Sequence, residues 1–213
     1  FSASGPAGAT RLSGALTATR PHMNNMWADS IAVTFQGVRR DSTIAGLRAR
    51  FDARSLAVPP FASRDVLAIG TWDGRVAALE AHGQAGPDLV QDIALRFEPG
   101  PRRQRLLLDR VDLRFPIGLL ALKHPTEIEL GERFHVNDLA LMRGAIPQLA
   151  IDGGIEPDGA IDLQARLDSI DVGGILRTFG EVDLRGVFSG GITATGTREQ
   201  PRVAADWRSG LIS

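Results

Sequence analysis

Apolar and polar residues alternate one for one over much of this chain. Ile161, Leu163, Ala165 and Leu167 alternate with Asp162, Gln164, Arg166 and Asp168 without an error. Leu47, Ala49, Phe51 and Ala53 do the same against Arg48, Arg50, Asp52 and Arg54, as do Ile93, Leu95 and Phe97 against Asp92, Arg96 and Glu98. Ile31, Val33 and Phe35 alternate with Thr34 and Gln36. Successive side chains of a strand point to opposite faces, so each segment presents one apolar and one polar face. The i, i+3, i+4, i+7 spacing of an amphipathic helix is missing from these windows.

Turn chemistry punctuates the strands: Trp72-Asp73-Gly74, Glu98-Pro99-Gly100-Pro101, Gly153-Gly154, Glu156-Pro157-Asp158-Gly159 and Gly190-Gly191. Asp-Gly and Gly-Gly accept the positive φ of tight hairpins. Strands are therefore expected through residues 10–19, 29–37, 43–54, 65–71, 74–82, 89–98, 104–115, 126–130, 133–142, 146–153, 160–169, 181–189, 190–197 and 202–208. A helical turn is expected at Val172–Thr178, capped by Asp171, and another at Ile117–Ala121. The predicted fold is all-β: an elongated curled antiparallel sheet, a taco-like groove, of about 12–15 short strands with at most one or two helical turns. Leu12–Thr19 and Leu184–Thr197 share a small-residue pattern of Leu, Gly and Thr, which reads either as stacked similar rungs or as two generic strands.

A sheet of that many strands cannot stay flat, because twist accumulates. It either curls into a trough lined by its apolar residues or folds into a sandwich that fills its own core, and the pattern alone leaves both open. The inward candidates are Leu47, Phe51, Ile93, Leu95 and Phe97, then Leu107, Val111, Leu113 and Phe115 as one same-face set, then Ile161, Leu163, Leu167, Leu184 and Phe188. Burying one Leu, Ile or Phe is worth about 1.5–3 kcal/mol. About a dozen left wet would forfeit several times a typical net stability of about 5–15 kcal/mol. A trough must therefore be narrow enough to shield itself, or hold an apolar client.

Composition narrows the classes. Lys plus Arg number 24 and Asp plus Glu 25, a net charge of −1, which removes the electrostatic footprint of a nucleic-acid binder. Hydrophobic content of 43% is too high for a disordered chain. Nine Phe, three Trp and no Tyr argue against a stacking platform for sugars. With no Cys, disulfides, thiolate metal sites and thiol nucleophiles are excluded. No apolar run approaches the roughly 18 residues that span a bilayer. The chain begins at Phe1 and stops at Ser213 in mid-pattern, so residues 1–213 read as one continuous unit of a longer protein.

Chemistry-bearing clusters are scarce. His22, His82, His124 and His135 are scattered without ligand spacing, and Gly-x-Ser-x-Gly is absent. Asp152, Glu156, Asp158 and Asp162 lie close in sequence but lack the order of a calcium loop, and Asp158-Gly159 reads as a hairpin turn. The Gly-rich stretch Gly70–Gly86 has no phosphate-loop Lys. Arg102, Arg103 and Arg105 read as a solvated hairpin edge. No catalytic, cofactor or metal residue is assigned, and the protein is read as a non-enzyme.

The run Ile146–Ser213 carries a resemblance. It opens with Ile151-Asp152-Gly153-Gly154-Ile155-Glu156-Pro157-Asp158-Gly159-Ala160-Ile161-Asp162-Leu163 and passes a short turn over Ile170–Leu176. It continues with Leu184-Arg185-Gly186 and a small-residue strand ending Gly196-Thr197, and closes on Pro201 and another alternating strand to Trp207. That succession of a Leu-x-Gly strand, a strand ending in Gly-Thr, a Pro and a further strand resembles the repeat region of the TamB and AsmA-like family of Gram-negative envelope proteins. The resemblance implies a periplasmic segment of a bridge between inner and outer membranes. It implies a parent chain anchored in the inner membrane by a segment not present here, and an apolar groove carrying the acyl chains of phospholipids. It also implies an outer-membrane barrel partner of the TamA type, docking through regions outside this segment. An alternative within the same setting is a translocation and assembly module whose open sheet edges receive strands of outer-membrane proteins.

Overall fold

A computed structural model describes residues 2–5, 8–23, 26–41, 43–58, 61–85, 89–115, 118–171 and 186–210. The chain is all-β. Its strands are β1 (Ser2–Ser4), β2 (Ala9–Thr19), β3 (His22–Met23), β4 (Met26–Trp27), β5 (Ser30–Arg40), β6 (Thr43–Arg54), β7 (Leu56–Val58), β8 (Phe61–Trp72) and β9 (Ala77–Ala85). They continue as β10 (Leu89–Glu98), β11 (Arg103–Phe115), β12 (Gly118–Leu122), β13 (Thr126–Gly131), β14 (Phe134–Arg143), β15 (Ile146–Ile155), β16 (Ala160–Asp171), β17 (Val187–Thr197) and β18 (Pro201–Gly210). All 18 belong to one antiparallel sheet.

The sheet is a meander, an elongated and curled ribbon. Pairing runs from β1 to β2, β5, β6, β8, β9, β10 and β11. β12 and β13 then share β11, holding its two ends as a single rung, and both pair with β14. β15, β16, β17 and β18 complete the succession. The short β3, β4 and β7 continue β2, β5 and β6 beyond a bend, which leaves fourteen rungs. At about 4.8 Å between neighbours, thirteen steps make a ribbon about 60 Å long.

The bend has a local cause. Arg20, Ser55 and Asp65 sit at φ of 51°, 52° and 46°, in the left-handed region, on the rungs of β2, β6 and β8. The Arg20 N–H donates to the Asp29 carbonyl (2.8 Å), and the Asp29 N–H donates to the Arg54 carbonyl (3.0 Å), so the kink is stitched across strands. Further left-handed residues interrupt the register at Asp138 (φ 47°) in β14 and Ser169 (φ 51°) in β16. Bulges of this kind bend the strand and increase its twist, which is how the ribbon curls.

The filled sandwich is not what forms. Among the described residues only Ala28, Ala53, Ala57, Phe115, Val136 and Ala140 are buried hydrophobics, and four of the six are alanines. Among the described residues the extensive strand–strand contacts join ladder neighbours. The accessible surface is 13769 Å², against about 9,600 Å² for a compact monomer of 22.8 kDa.

Three expectations need correction. Gly153-Gly154 and Gly190-Gly191 do not form turns but lie inside β15 and β17. A Cβ on Gly154 would strike the Phe134 carbonyl, and one on Gly190 would come within 2.5 Å of the Trp207 ring, so these glycines permit close approach of neighbouring rungs. Residues 118–121, expected to be helical, form β12, because apolar Leu119-Leu120-Ala121-Leu122 is short and pairs with β11 and β14 instead. The expected turn at Val172–Thr178 and most of the strand expected through 181–189 lie outside the described residues.

Candidate functional site

Paired residues of an antiparallel ladder share a face, so the faces can be traced from register alone. One row of direct partners crosses every rung: Ala3, Leu12, Gly37, Leu47, Trp72, Ala77 and Phe97, then Leu106, Ile128, Val136, Gly153, Leu163, Ala194 and Val203. None of the fourteen is polar. A second lane beside it runs Leu16, Val33, Phe51, Ala68, Ala81, Ile93 and Val111. Beyond the break between β12 and β13 that lane resumes through Leu122, Leu141, Leu149, Leu167, Gly190 and Trp207.

Along β16 the apolar face is the more sheltered of the two. In β16, Ile161, Leu163, Ala165 and Leu167 are partly buried, whereas Asp162, Gln164 and Arg166 are exposed. On this face Ala53 in β6 and Phe115 and Val136 in mid-ribbon are 4%, 7% and 4% exposed. The face opens toward both ends, with Leu16 at 66% and Val203 at 67%. The result is a continuous apolar face, partly sheltered along the ribbon and most exposed on its end rungs.

The opposite face is laced with ion pairs. Arg96 grips Asp109 through two hydrogen bonds of 2.7 and 2.6 Å. Arg105 meets Glu98 at 2.8 Å, Arg103 meets Glu129 at 2.9 Å, and His82 meets Asp92 at 2.7 Å. At the β14 bulge the Asp138 carboxylate takes both His124 Nε2 (2.9 Å) and Lys123 Nζ (3.2 Å). The hydrogen bond from His124, with help from Lys123, holds the Asp138 carboxyl below its usual range, and the same bond raises the His124 imidazole. The Arg96 guanidinium likewise lowers Asp109. A concavity of about 890 Å³ also lies on this side, lined chiefly by polar-face residues including Asp152, Gln164, Arg166, Asp168 and Arg208.

Twelve of the expected inward residues share the apolar face: Leu47, Phe51, Ile93, Leu95, Phe97, Val111, Leu113, Phe115, Ile161, Leu163, Leu167 and Phe188. Leu107 does not join its expected partners. It pairs with Arg96 and Glu127, on the polar face. The register slips between Ala94 and Leu95, leaving Asp109 as an extra residue in β11 and reversing the parity on either side of it. Leu106 and Leu108 take the apolar places, paired with Phe97 and Leu95. Leu184 lies outside the described residues. Trp72, Leu106, Ile128, Val136 and Val203 belong to the lane and were not anticipated, although their strands were.

Among the described residues no three His, Asp or Glu side chains gather as a metal site, and no helix is long and apolar enough to cross a membrane. Comparison with family models, curated proteins and solved structures gives no match.

Proposed function

We propose that the groove is a conduit for the acyl chains of phospholipids, within a protein that bridges the inner and outer membranes across the periplasm. The observation that carries this reading is the unbroken apolar row over all fourteen rungs. Each methylene moved from water into such a groove contributes about 0.8 kcal/mol, so a chain has ample drive to enter. Successive rungs offer similar Leu, Ile, Val, Phe and Ala surfaces, so a chain can advance with little change in free energy. A closed, shaped pocket would instead trap its ligand. The reading assigns no catalytic step, and the strand phrase of residues 146–213 supports placing the chain among the TamB and AsmA-like proteins, with any barrel partner of the TamA type docking elsewhere. Reception of outer-membrane strands at the sheet edges uses only the first and last rungs and leaves the lane between them without a role, so lipid carriage is preferred.

The test uses adjacent residues on opposite faces. A photo-crosslinking amino acid at Leu106, Phe97 or Leu163 is expected to capture phospholipid in cells, identified by mass spectrometry, whereas one at Leu107 is not. Equal capture at Leu106 and Leu107, or none at any lane position, overturns the proposal.

A further inference from the structure

We infer, building on the conduit reading, that Arg143 receives the phosphate of a phospholipid at mid-ribbon and so turns its headgroup toward one margin of the sheet. The two long margins, formed by the strand ends, are unlike. One carries the hairpins, and its turn residues 39–41, 73–75, 98–103, 132–133, 156–158 and 198–199 hold seven Arg matched by seven Asp and Glu. Arg102, Arg103 and Arg133 there are engaged by Glu132, Glu129 and Glu156 at 3.8, 2.9 and 2.7 Å. The opposite margin carries Arg20, Arg54, Arg64, Arg114 and Arg143 against Asp29, Asp65 and Asp171. None of those five arginines forms an ion pair among the described residues.

Arg143 is the one placed on the apolar face. Arg54 and Arg114 alternate with Ala53 and Phe115 of that face, and so belong to the polar one. In β14, Leu141 pairs with Leu122 in the lane, and Arg143, two residues on, returns to the same face. It lies opposite Ile146, and its stem crosses Gly118, where a Cβ would stand 3.8 Å from Arg143 Cδ. A partly buried cation among apolar neighbours, with no carboxylate to meet it, calls for an anionic partner. A cavity of about 560 Å³ opens at this margin, lined by Leu119, Leu122, Met142, Lys123 and Arg143 among others. Lys123 is already held by Asp138 at 3.2 Å, which leaves Arg143 as the unengaged cation. A guanidinium takes a phosphate through two parallel hydrogen bonds, while the acyl chains lie along Leu122, Leu141 and Leu149. The second lane is interrupted here, between β12 and β13, so an ionic contact is gained where apolar cover is lost.

The test gives the full chain vesicles of phosphatidylglycerol carrying a photoreactive group either on the headgroup or at the end of one acyl chain, and maps the labelled peptides by mass spectrometry. The headgroup probe is expected to label residues 142–147 and to spare the hairpin margin. Arg143→Gln should lower that labelling about tenfold, the loss of one charge-assisted contact. Arg143→Lys should keep most of it, and Arg102→Gln on the other margin should change nothing. The acyl probe should label the lane at Leu141 in every variant, and circular dichroism checks that each keeps its sheet. Equal headgroup labelling of the two margins in the unmodified chain, or labelling at 142–147 that survives Arg143→Gln, overturns the inference and leaves the conduit standing if the acyl probe still marks the lane. An acyl probe that never marks the lane overturns the conduit, and the headgroup seat with it.

Discussion

Replacing Leu163 by Arg places a charge in the lane where its consequence can be worked out. Leu163 pairs with Gly153 on one side and Ala194 on the other. Its isobutyl group is therefore the only bulky apolar side chain of that row on three successive rungs. An acyl chain crossing a guanidinium there loses apolar cover for about four methylenes, at about 0.8 kcal/mol each. The added barrier is about 3 kcal/mol, a little over a hundredfold in rate. The fold pays much less: Leu163 is only partly buried, and the Arg stem can lie along its neighbours while the head reaches water through the open groove. The expected loss of stability is under about 2 kcal/mol. Transfer of a fluorescent phospholipid between vesicles measures the effect, with Gln164→Arg as the control one residue away on the polar face. A folded Leu163→Arg protein that transfers lipid at the normal rate refutes the conduit, and equal losses from both variants refute the assignment of faces.

The same logic separates Leu106 from Leu107. Leu106→Asp faces Phe97 and Ile128 and is expected to lower stability by about 2 kcal/mol. Leu107→Asp, beside Arg96 and Glu127, should change it by less than about 0.5 kcal/mol; urea unfolding distinguishes the two. The His124–Asp138 bridge should give stability a window in pH. Asp138, lowered on folding, loses its contribution as pH falls below about 4, and His124, raised on folding, loses its own as pH rises through and above about 6.5. His124→Gln should therefore abolish the alkaline fall in urea midpoint, and a fall that persists in the variant counts against this origin. Arg20→Gly relieves a left-handed residue at φ 51° and is expected to raise stability by about 1 kcal/mol, read as a higher melting temperature; a lower one argues that the arginine side chain holds the bend.

What was legible in the sequence was whatever depends on single-strand alternation. β6, β10 and β16 announce themselves because one face is apolar and the other charged, and the hairpins at residues 73–76, 99–102 and 156–159 follow from Asp, Pro and Gly in turn positions. The Asp73 carboxylate accepts the N–H groups of Arg75 and Val76, as an Asx turn requires. What stayed hidden depends on the neighbouring strand. Leu106-Leu107-Leu108 has no alternation to read, and only pairing with β10 shows that Asp109 is supernumerary and that Leu107 lies on the polar face. Gly190 looks like a turn until Trp207 is placed against it. The lane itself joins residues from fourteen rungs, and no single segment contains more than one of its members.

An open groove is compatible with a stable fold because of how the ribbon distributes its contacts. Among the described residues each rung packs chiefly against its ladder neighbours, so stability accumulates largely as a sum over successive pairings, as in repeat proteins. Closing the trough would bury more apolar surface, but it is not needed to hold any one strand in place. Backbone ladders and polar-face ion pairs such as Arg96–Asp109 and Arg105–Glu98 fix the register without entering the apolar face. Register fixed from the polar face leaves the lane free of charges, and a one-residue slip anywhere would carry polar side chains into it. The bulges at Asp109 and Asp138 therefore have to be compensated within their own strands, and they are: on both sides of each, apolar residues return to the same face. That restoration of parity across irregular strands favours an apolar lane kept for occupancy, since a sheet that needed only to fold could tolerate an occasional polar residue at so shallow a depth.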